Sequence, residues 1–319
     1  MKISVLGCGR WGSFIGWYLN KIKHDVVLWG LEDSEITQEL IKNRKNNLLS
    51  FDKSITISSD LDYAVSHAEV IVISISSQGL RGFMKTLSKY NLEGKTIVLC
   101  MKGIEETTGK RLTQIVEEVV SDKTNIAIWV GPGHVQDFSR GIPNCMVIDS
   151  KSRITQKMLI DNFSSELIRF YYGTDLIGNE VGAAAKNVMG IAAGMLDGIG
   201  YTSLKGALMS RGTREIARLI EKIGGNPISA YGLAHLGDYQ ATLFSEHSHN
   251  RMFGELFIKG EKYTALAEGV STTRALIKLG NKYGVELPIC SAIDSIVNKN
   301  QDPKKVLSNL FIRSIKNEF

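Results

Sequence analysis

Along the first half of the chain, short runs of apolar, mostly β-branched residues alternate with longer stretches that mix apolar and polar positions. The runs are 3-ISVL-6, 26-VVLW-29, 70-VIVISI-75, 96-TIVLC-100 and 126-IAIWV-130. They are continuously apolar rather than alternating, which predicts strands of a parallel sheet buried on both faces. Helix-like stretches at 13–22 and 109–120 lie between them, and two further candidate strands, 145-CMVID-149 and 168-IRFYY-172, follow. After Gly178 strand-like runs nearly vanish. Long helical stretches take over at 180–199 and 204–223, with more toward the C-terminus, and the first of these is rich in Ala and Gly, as in a tightly packed buried helix. The change places a domain boundary near 173–178, giving a first domain of 1–177 and a second of 178–319. No internal repeat or low-complexity segment stands out.

The first strand runs into 7-GCGRWG-12, a Gly-x-Gly-x-x-Gly set between a strand and a helix. Gly7 makes the tight turn, Gly9 lets backbone approach a pyrophosphate, and Gly12 lets helix and strand pack closely. The helix N-terminus offers N–H groups and a positive dipole end to the phosphates. The alternative is a glycine-rich turn with no ligand. Glu32 follows the second strand at the position that reads the cofactor ribose, within 29-WGLEDSE-35. Three carboxylates there, Glu32, Asp33 and Glu35, would repel a 2′-phosphate, so NAD is favoured over NADP unless Arg44 or a nearby lysine folds back.

Composition changes this picture little. The chain has 319 residues, 43% hydrophobic and 22% charged, enough for two medium domains and too apolar for disorder. The net charge of +5 comes from scattered basic residues, which disfavours nucleic-acid binding and suits a small anionic substrate. Cys8, Cys100, Cys145 and Cys290 form no CxxC pair, as expected of a reduced, cytoplasmic protein without a zinc ribbon or disulfide framework. The apolar run at the N-terminus is too short for a signal peptide, and no window predicts membrane insertion.

In an open parallel sheet, ligands bind beyond the carboxyl ends of the strands. That makes Ser76, Ser77, Lys102 and 131-GPGH-134 candidates. In the helical half, Lys186 lies within an apolar, small-residue stretch. A charge there is costly unless paired or functional, or unless the side chain reaches solvent with its head. The stretch 245-SEHSHNR-251 reads as a metal site formed by Glu246, His247 and His249, as an anion clamp, or as a polar loop. The metal reading is disfavoured because His247 and His249 point the same way only on a strand, and no metal is expected.

The chain resembles the NAD(P)-dependent glycerol-3-phosphate dehydrogenases of the bacterial soluble type. The resemblance rests on GCGRWG, 29-WG, 101-MKG, 131-GP, 182-GAAAKNVMGIAAGMLDGIG-200, 207-ALMSRGTREIARL-219, 236-LGD-238, 248-SHNRMFG-254 and 268-EGV-270. It implies an α/β fold: an N-terminal Rossmann-type parallel-sheet domain followed by an all-helical, 6-phosphogluconate-dehydrogenase-like C-terminal domain, with the active site between them. It also implies the interconversion of dihydroxyacetone phosphate and sn-glycerol 3-phosphate with NAD(P)H, a supply of glycerophospholipid precursor, and a homodimer. Carried over residue by residue, it implies Lys186 as the catalytic lysine, Asp238 as its partner, and Lys102 as the lysine that holds substrate near the cofactor. Gly131, Ser248, His249 and Asn250 match substrate contacts. Arg10, Trp11, Lys102, Val135, His249 and Glu268 match cofactor contacts, beside Gly7, Gly9, Gly12 and Glu32. A lysine in an apolar cleft has a lowered pKa and exchanges protons near neutral pH.

The sequence departs from the family in three loops. Ser-Arg-Asn-Arg is here Ser248-His249-Asn250-Arg251, so a histidine replaces an arginine that reaches phosphate and cofactor. GLAGLGDL is here 232-GLAHLGDY-239, so His235 and Tyr239 are new. GPxFAxE is here 131-GPGHVQD-137, so His134 and Asp137 are new and Val135 replaces alanine. Beside the disfavoured metal site, these departures leave two readings open. The enzyme keeps its substrate, with a histidine or Arg251 supplying the missing cation, or it is a paralogue acting on a related phosphorylated or acidic ketone or alcohol. A different class, a non-catalytic NAD-binding sensor, stands beside them.

Overall fold

The computed structural model describes residues 1–312; residues 313–319 of the expected second domain lie outside the described residues. Two units emerge, one of residues 1–102 and 111–176, the other of residues 103–110 and 177–312. A linear boundary at 177 assigns 103–110 to the first unit. In the structure this segment joins the helical unit, because Arg274 pairs with Glu106 (2.7 Å) and Lys278 Nζ donates to the carbonyl of Glu106 (3.1 Å).

The first unit is built on strands β1 (Lys2–Leu6), β2 (Asp25–Trp29), β3 (Thr56–Ser58), β4 (Val70–Ile73), β5 (Thr96–Leu99), β6 (Asn125–Val130), β7 (Asn144–Ser150) and β8 (Ile168–Tyr172). Its helices are α1 (Arg10–Lys21), α2 (Glu35–Asn43), α3 (Leu61–His67), α4 (Leu80–Leu87), α5 (Leu112–Glu117), α6 (Val135–Ser139) and α7 (Arg153–Phe163). The strands form one sheet in the order β3-β2-β1-β4-β5-β6-β7-β8. Leu6 lies in register with both Trp29 and Ile73, so β1, β2 and β4 end level with one another. The apolar runs become fully buried strand residues, as with Val70, Ile71, Val72 and Ile73.

Three features depart from the sequence expectation. The short β3 escaped the apolar-run criterion, since it is a thin edge strand with only one apolar residue, Ile57. The sheet is not wholly parallel: β7 runs antiparallel to β6, with Trp129 opposite Ile148. Residues 131–143 hold only the short α6 and no helix able to carry the chain back across the sheet, so the chain turns and returns beside β6. Helix α5 begins at Leu112 rather than Gly109, because Gly109 is left-handed (φ +71°) and closes the loop of the other unit.

The second unit is helical: α8 (Leu176–Ile199), α9 (Lys205–Lys222), α10 (His249–Lys259), α11 (Gly269–Tyr283), α12 (Pro288–Val297) and α13 (Pro303–Phe311). From Gly178 to Leu196 every residue of α8 is buried. Its glycines explain how. A Cβ on Gly194 would stand 1.9 Å from the Arg251 carbonyl oxygen, and one on Gly254 of α10 2.1 Å from the Ile191 carbonyl oxygen. The backbones of α8 and α10 therefore touch, which only glycine permits. Glu215, in the SRGxxE block, plays a structural part. Its carboxylate accepts from the N–H groups of Ile289 (2.8 Å) and Cys290 (3.1 Å), capping α12 from α9. Burial pushes its pKa upward. Among the described residues, no helix is long and apolar enough to cross a membrane.

Candidate active site

The first unit carries a backbone-built site at the turn between β1 and α1. Gly7 has φ +116°, and a Cβ there would stand 2.2 Å from the Ser74 carbonyl oxygen. A Cβ on Gly12 would stand 1.8 Å from the carbonyl oxygen of Gly7. Gly9 differs: a Cβ there meets nothing within 4 Å. Packing thus dictates the first and third glycines, whereas the middle one faces open space of the kind a pyrophosphate needs. Gly9 caps α1 without a side-chain bond, and the first turn of α1 holds no acidic residue to compete with an anion.

Arg10 is exposed beside this turn and Trp11 half-buried. The Trp11 Nε1 is buried with no hydrogen-bond partner among the described residues. Lys102, after β5, donates from Nζ to the Gly131 carbonyl (2.8 Å) and stands 5.9 Å from the Trp11 ring centre. Gly131 has φ +128°, so its carbonyl is aimed by a left-handed turn that favours glycine. Glu32, Asp33 and Glu35 are exposed after β2. Arg44 does not fold back toward them: one of its guanidinium nitrogens donates to the carbonyls of Asp52 (2.5 Å) and Ile55 (2.6 Å). Val135 is buried in the core of its unit, leaving only its backbone at the start of α6 for a ligand. His134 is the residue before that helix.

The second unit carries a site built from side chains. Lys186 on α8 pairs through Nζ with Asp238 Oδ2 (2.8 Å) and donates to Thr242 Oγ1 (2.8 Å). The Lys186 side chain is 10% exposed and that of Asp238 1%, so this is a buried, doubly held ammonium rather than one reaching into solvent. Thr242 was not singled out in the sequence. Its spacing of four from Asp238 was the available signal, since that spacing puts both on one face of a helical turn. In the fold it sits in a π-helical turn, Gln240–Phe244, a rare conformation that recurs at functional sites.

Asn250 lies one turn along α8 from Lys186: a Cβ on Gly190 would stand 3.2 Å from the Cβ of Asn250. The Asn250 Oδ1 accepts from the N–H of Gly269 (2.9 Å), which brings Glu268, the residue before α11, to the same place. Ser248 caps α10, its hydroxyl accepting from the Arg251 N–H (3.3 Å). Lys186, Asp238, Asn250 and the Glu268–Gly269 step therefore gather at one region of α8.

The expectation for His235 needs correction. His235 cannot serve as a phosphate cation. It is fully buried, and burial pushes its pKa down to about 4, so the ring is neutral at ordinary pH. Arg251 is engaged elsewhere, by Asp197 (2.8 Å) and Glu255 (3.0 Å). His249 is half-buried at the first position of α10, its Nδ1 hydrogen-bonded to the Tyr263 hydroxyl. Among the described residues, no three His, Cys, Asp or Glu side chains gather as metal ligands would.

A family model described as the NAD-dependent glycerol-3-phosphate dehydrogenase N-terminus matches residues 2–155, and its C-terminal counterpart matches residues 175–308. The chain belongs to the NAD-dependent glycerol-3-phosphate dehydrogenase family. Among its relatives is the glycerol-3-phosphate dehydrogenase [NAD(P)+] of Pelodictyon phaeoclathratiforme, 35% identical over 100% of this chain and 99% of the relative. That of Prosthecochloris aestuarii is 34% identical over 100% of both. A solved glycerol-3-phosphate dehydrogenase from Coxiella burnetii superposes with a TM-score of 0.92 at 25% identity, covering 98% of each chain. The sheet unit is the Rossmann-type half and the helical unit the C-terminal half of this family's fold.

Proposed function

We propose that the protein interconverts dihydroxyacetone phosphate and sn-glycerol 3-phosphate with NAD(P)H, NADH being the preferred cofactor. The observation that carries the reading is the buried Lys186 ammonium held by Asp238 and Thr242, in a chain that both family models match.

NAD(P)H supplies the hydride in this chemistry. The turn Gly7–Gly12 would hold its pyrophosphate on the α1 N-terminus, and Glu32 its ribose. As charge develops on the C2 oxygen of the substrate, Lys186 stabilises it and donates a proton from Nζ. In the reverse direction Lys186 takes that proton back. Asp238 and Thr242 orient the ammonium. Asn250, Ser248 and the α10 N-terminus, which has no acidic residue in its first turn, favour the substrate's phosphate end. Lys102, fastened to Gly131, orients substrate from the sheet unit. His249 takes the place of an arginine in this arrangement and supplies at most one neutralisable charge. A homodimer in the cytoplasm that supplies glycerophospholipid synthesis completes the proposal.

The test is oxidation of NADH by purified protein with dihydroxyacetone phosphate. Turnover that forms the sn-3 phosphate is the expected result. Cofactor binding without turnover would favour a sensor. Turnover only on another phosphorylated or acidic ketone would identify a paralogue.

A further inference from the structure

Two of the departures from the family pattern, His235 and Tyr239, meet in the structure. Both are fully buried. The Nδ1 of His235 lies 2.8 Å from the carbonyl oxygen of Gly182, and its Nε2 lies 2.7 Å from the Tyr239 hydroxyl. The chemistry fixes the direction of each bond. A carbonyl oxygen only accepts, so Nδ1 carries the ring proton and donates to Gly182. The ring is neutral, so Nε2 accepts and the tyrosine donates. Burial raises the Tyr239 pKa far above its usual value, so the phenol keeps the proton it donates.

The placement of these bonds gives them a purpose. Gly182 lies one helical turn before Lys186 on α8. A Cβ on Gly182 would stand 3.0 Å from the His235 Cβ, so the loop lies against the helix at this point. In sequence Tyr239 stands directly after Asp238 and shortly before Thr242, which both bond Lys186. Segment 235–242 therefore meets α8 twice within one turn: through His235 at Gly182, and through Asp238 and Thr242 at Lys186.

We propose that His235 and Tyr239 act as one positioning unit, a buried clasp that fastens segment 235–242 to α8 and sets Asp238 and Thr242 against Lys186. They act through Asp238 and Thr242. The two departures are one coupled change: the tyrosine supplies the donor that the new ring needs, and the ring accepts from a phenol that also bonds the Thr213 side chain. The inference rests on Lys186 and Asp238 being the proton-handling pair.

The experiment compares Tyr239→Phe, His235→Gly, the double variant His235→Gly/Tyr239→Leu, and a Lys186→Ala control in the full chain, assayed with dihydroxyacetone phosphate and NADH across pH. Tyr239→Phe, which keeps the ring and its packing, is expected to lower kcat three- to tenfold. His235→Gly is expected to lower it tenfold or more. In both, KM for NADH stays within twofold, and the pH at which kcat turns over is displaced, because the acceptors of Lys186 have shifted. The double variant is expected to be more active than His235→Gly alone, since it removes the phenol left without its ring acceptor. A folded Tyr239→Phe with unchanged kcat and pH profile would overturn the proposal, as would a double variant no more active than His235→Gly alone. If His235→Gly does not fold, Tyr239→Phe decides the matter alone. Activity surviving in Lys186→Ala would instead sink the underlying assignment of the lysine.

Discussion

The two units build their candidate sites by different means. In the sheet unit, backbone builds the site: glycines at 7 and 12 stand where a single added carbon would collide with carbonyl oxygens, and Gly9 stands where it would collide with nothing. In the helical unit, side chains build it: an ammonium on α8 is held by a carboxylate and a hydroxyl from a segment 56 residues away in sequence at Thr242. A backbone site tolerates many side chains but almost no change of its glycines. A side-chain site depends on a few atoms, and on whatever holds them in register.

The largest test of this contrast is Lys186→Ala. The kcat of this variant is expected to fall by roughly 10²–10⁴, the range for a positioned proton donor, with NADH affinity unchanged. Activity within tenfold of the parent, or ~1.4 kcal/mol, would remove Lys186 from its role. Next come the glycines. Gly12→Ala should abolish NADH binding and lower the melting temperature of the free protein, because the turn itself must move. Gly9→Ala should leave that melting temperature unchanged, since it meets no protein atom, yet weaken NADH binding at least tenfold. Equal melting losses in both variants would erase the distinction between packing glycines and the ligand-facing one.

A smaller effect concerns the ribose. With Arg44 committed to the carbonyls of Asp52 and Ile55, the carboxylates after β2 meet no opposing arginine from that direction. KM for NADPH should exceed that for NADH at least tenfold, and Glu32→Ser should narrow the gap. A tenfold preference for NADPH would reverse the reading.

The smallest effect is on stability. The His235 pKa drops to about 4 on folding through burial. Between about pH 6.5, its unfolded value, and pH 4, the unfolded chain binds a proton that the folded chain refuses. Stability therefore falls as pH falls through this window, and the contribution is whole above it. A melting series from pH 7 to 4 should decline more steeply in the parent than in a folded His235 variant.

The same contrast explains what was legible in the sequence. The sheet unit announced itself because its strands are continuously apolar and its glycine spacing has a fixed geometric meaning. β3 was missed because a short edge strand needs no apolar run, and the reversal at β7 because apolar patterning carries no strand direction. In the helical unit, Lys186 drew attention by its apolar surroundings. The role of Asp238 came only through the family resemblance, because a loop carboxylate has no periodicity to mark it. Thr242 was passed over for the same reason, although it stands four residues on. One histidine misled: His235 looked like a replacement cation, but its burial keeps it neutral. Sequence shows that a residue has changed, and only packing shows whether the new one faces substrate or core.

The division of labour between the units is tested most directly by NADH dissociation constants for the parent, Gly9→Ala and Lys186→Ala, measured without substrate. The account predicts at least a tenfold rise for Gly9→Ala and a change within twofold for Lys186→Ala. A Gly9→Ala variant that binds NADH like the parent, or a Lys186→Ala variant that loses it, would contradict the account.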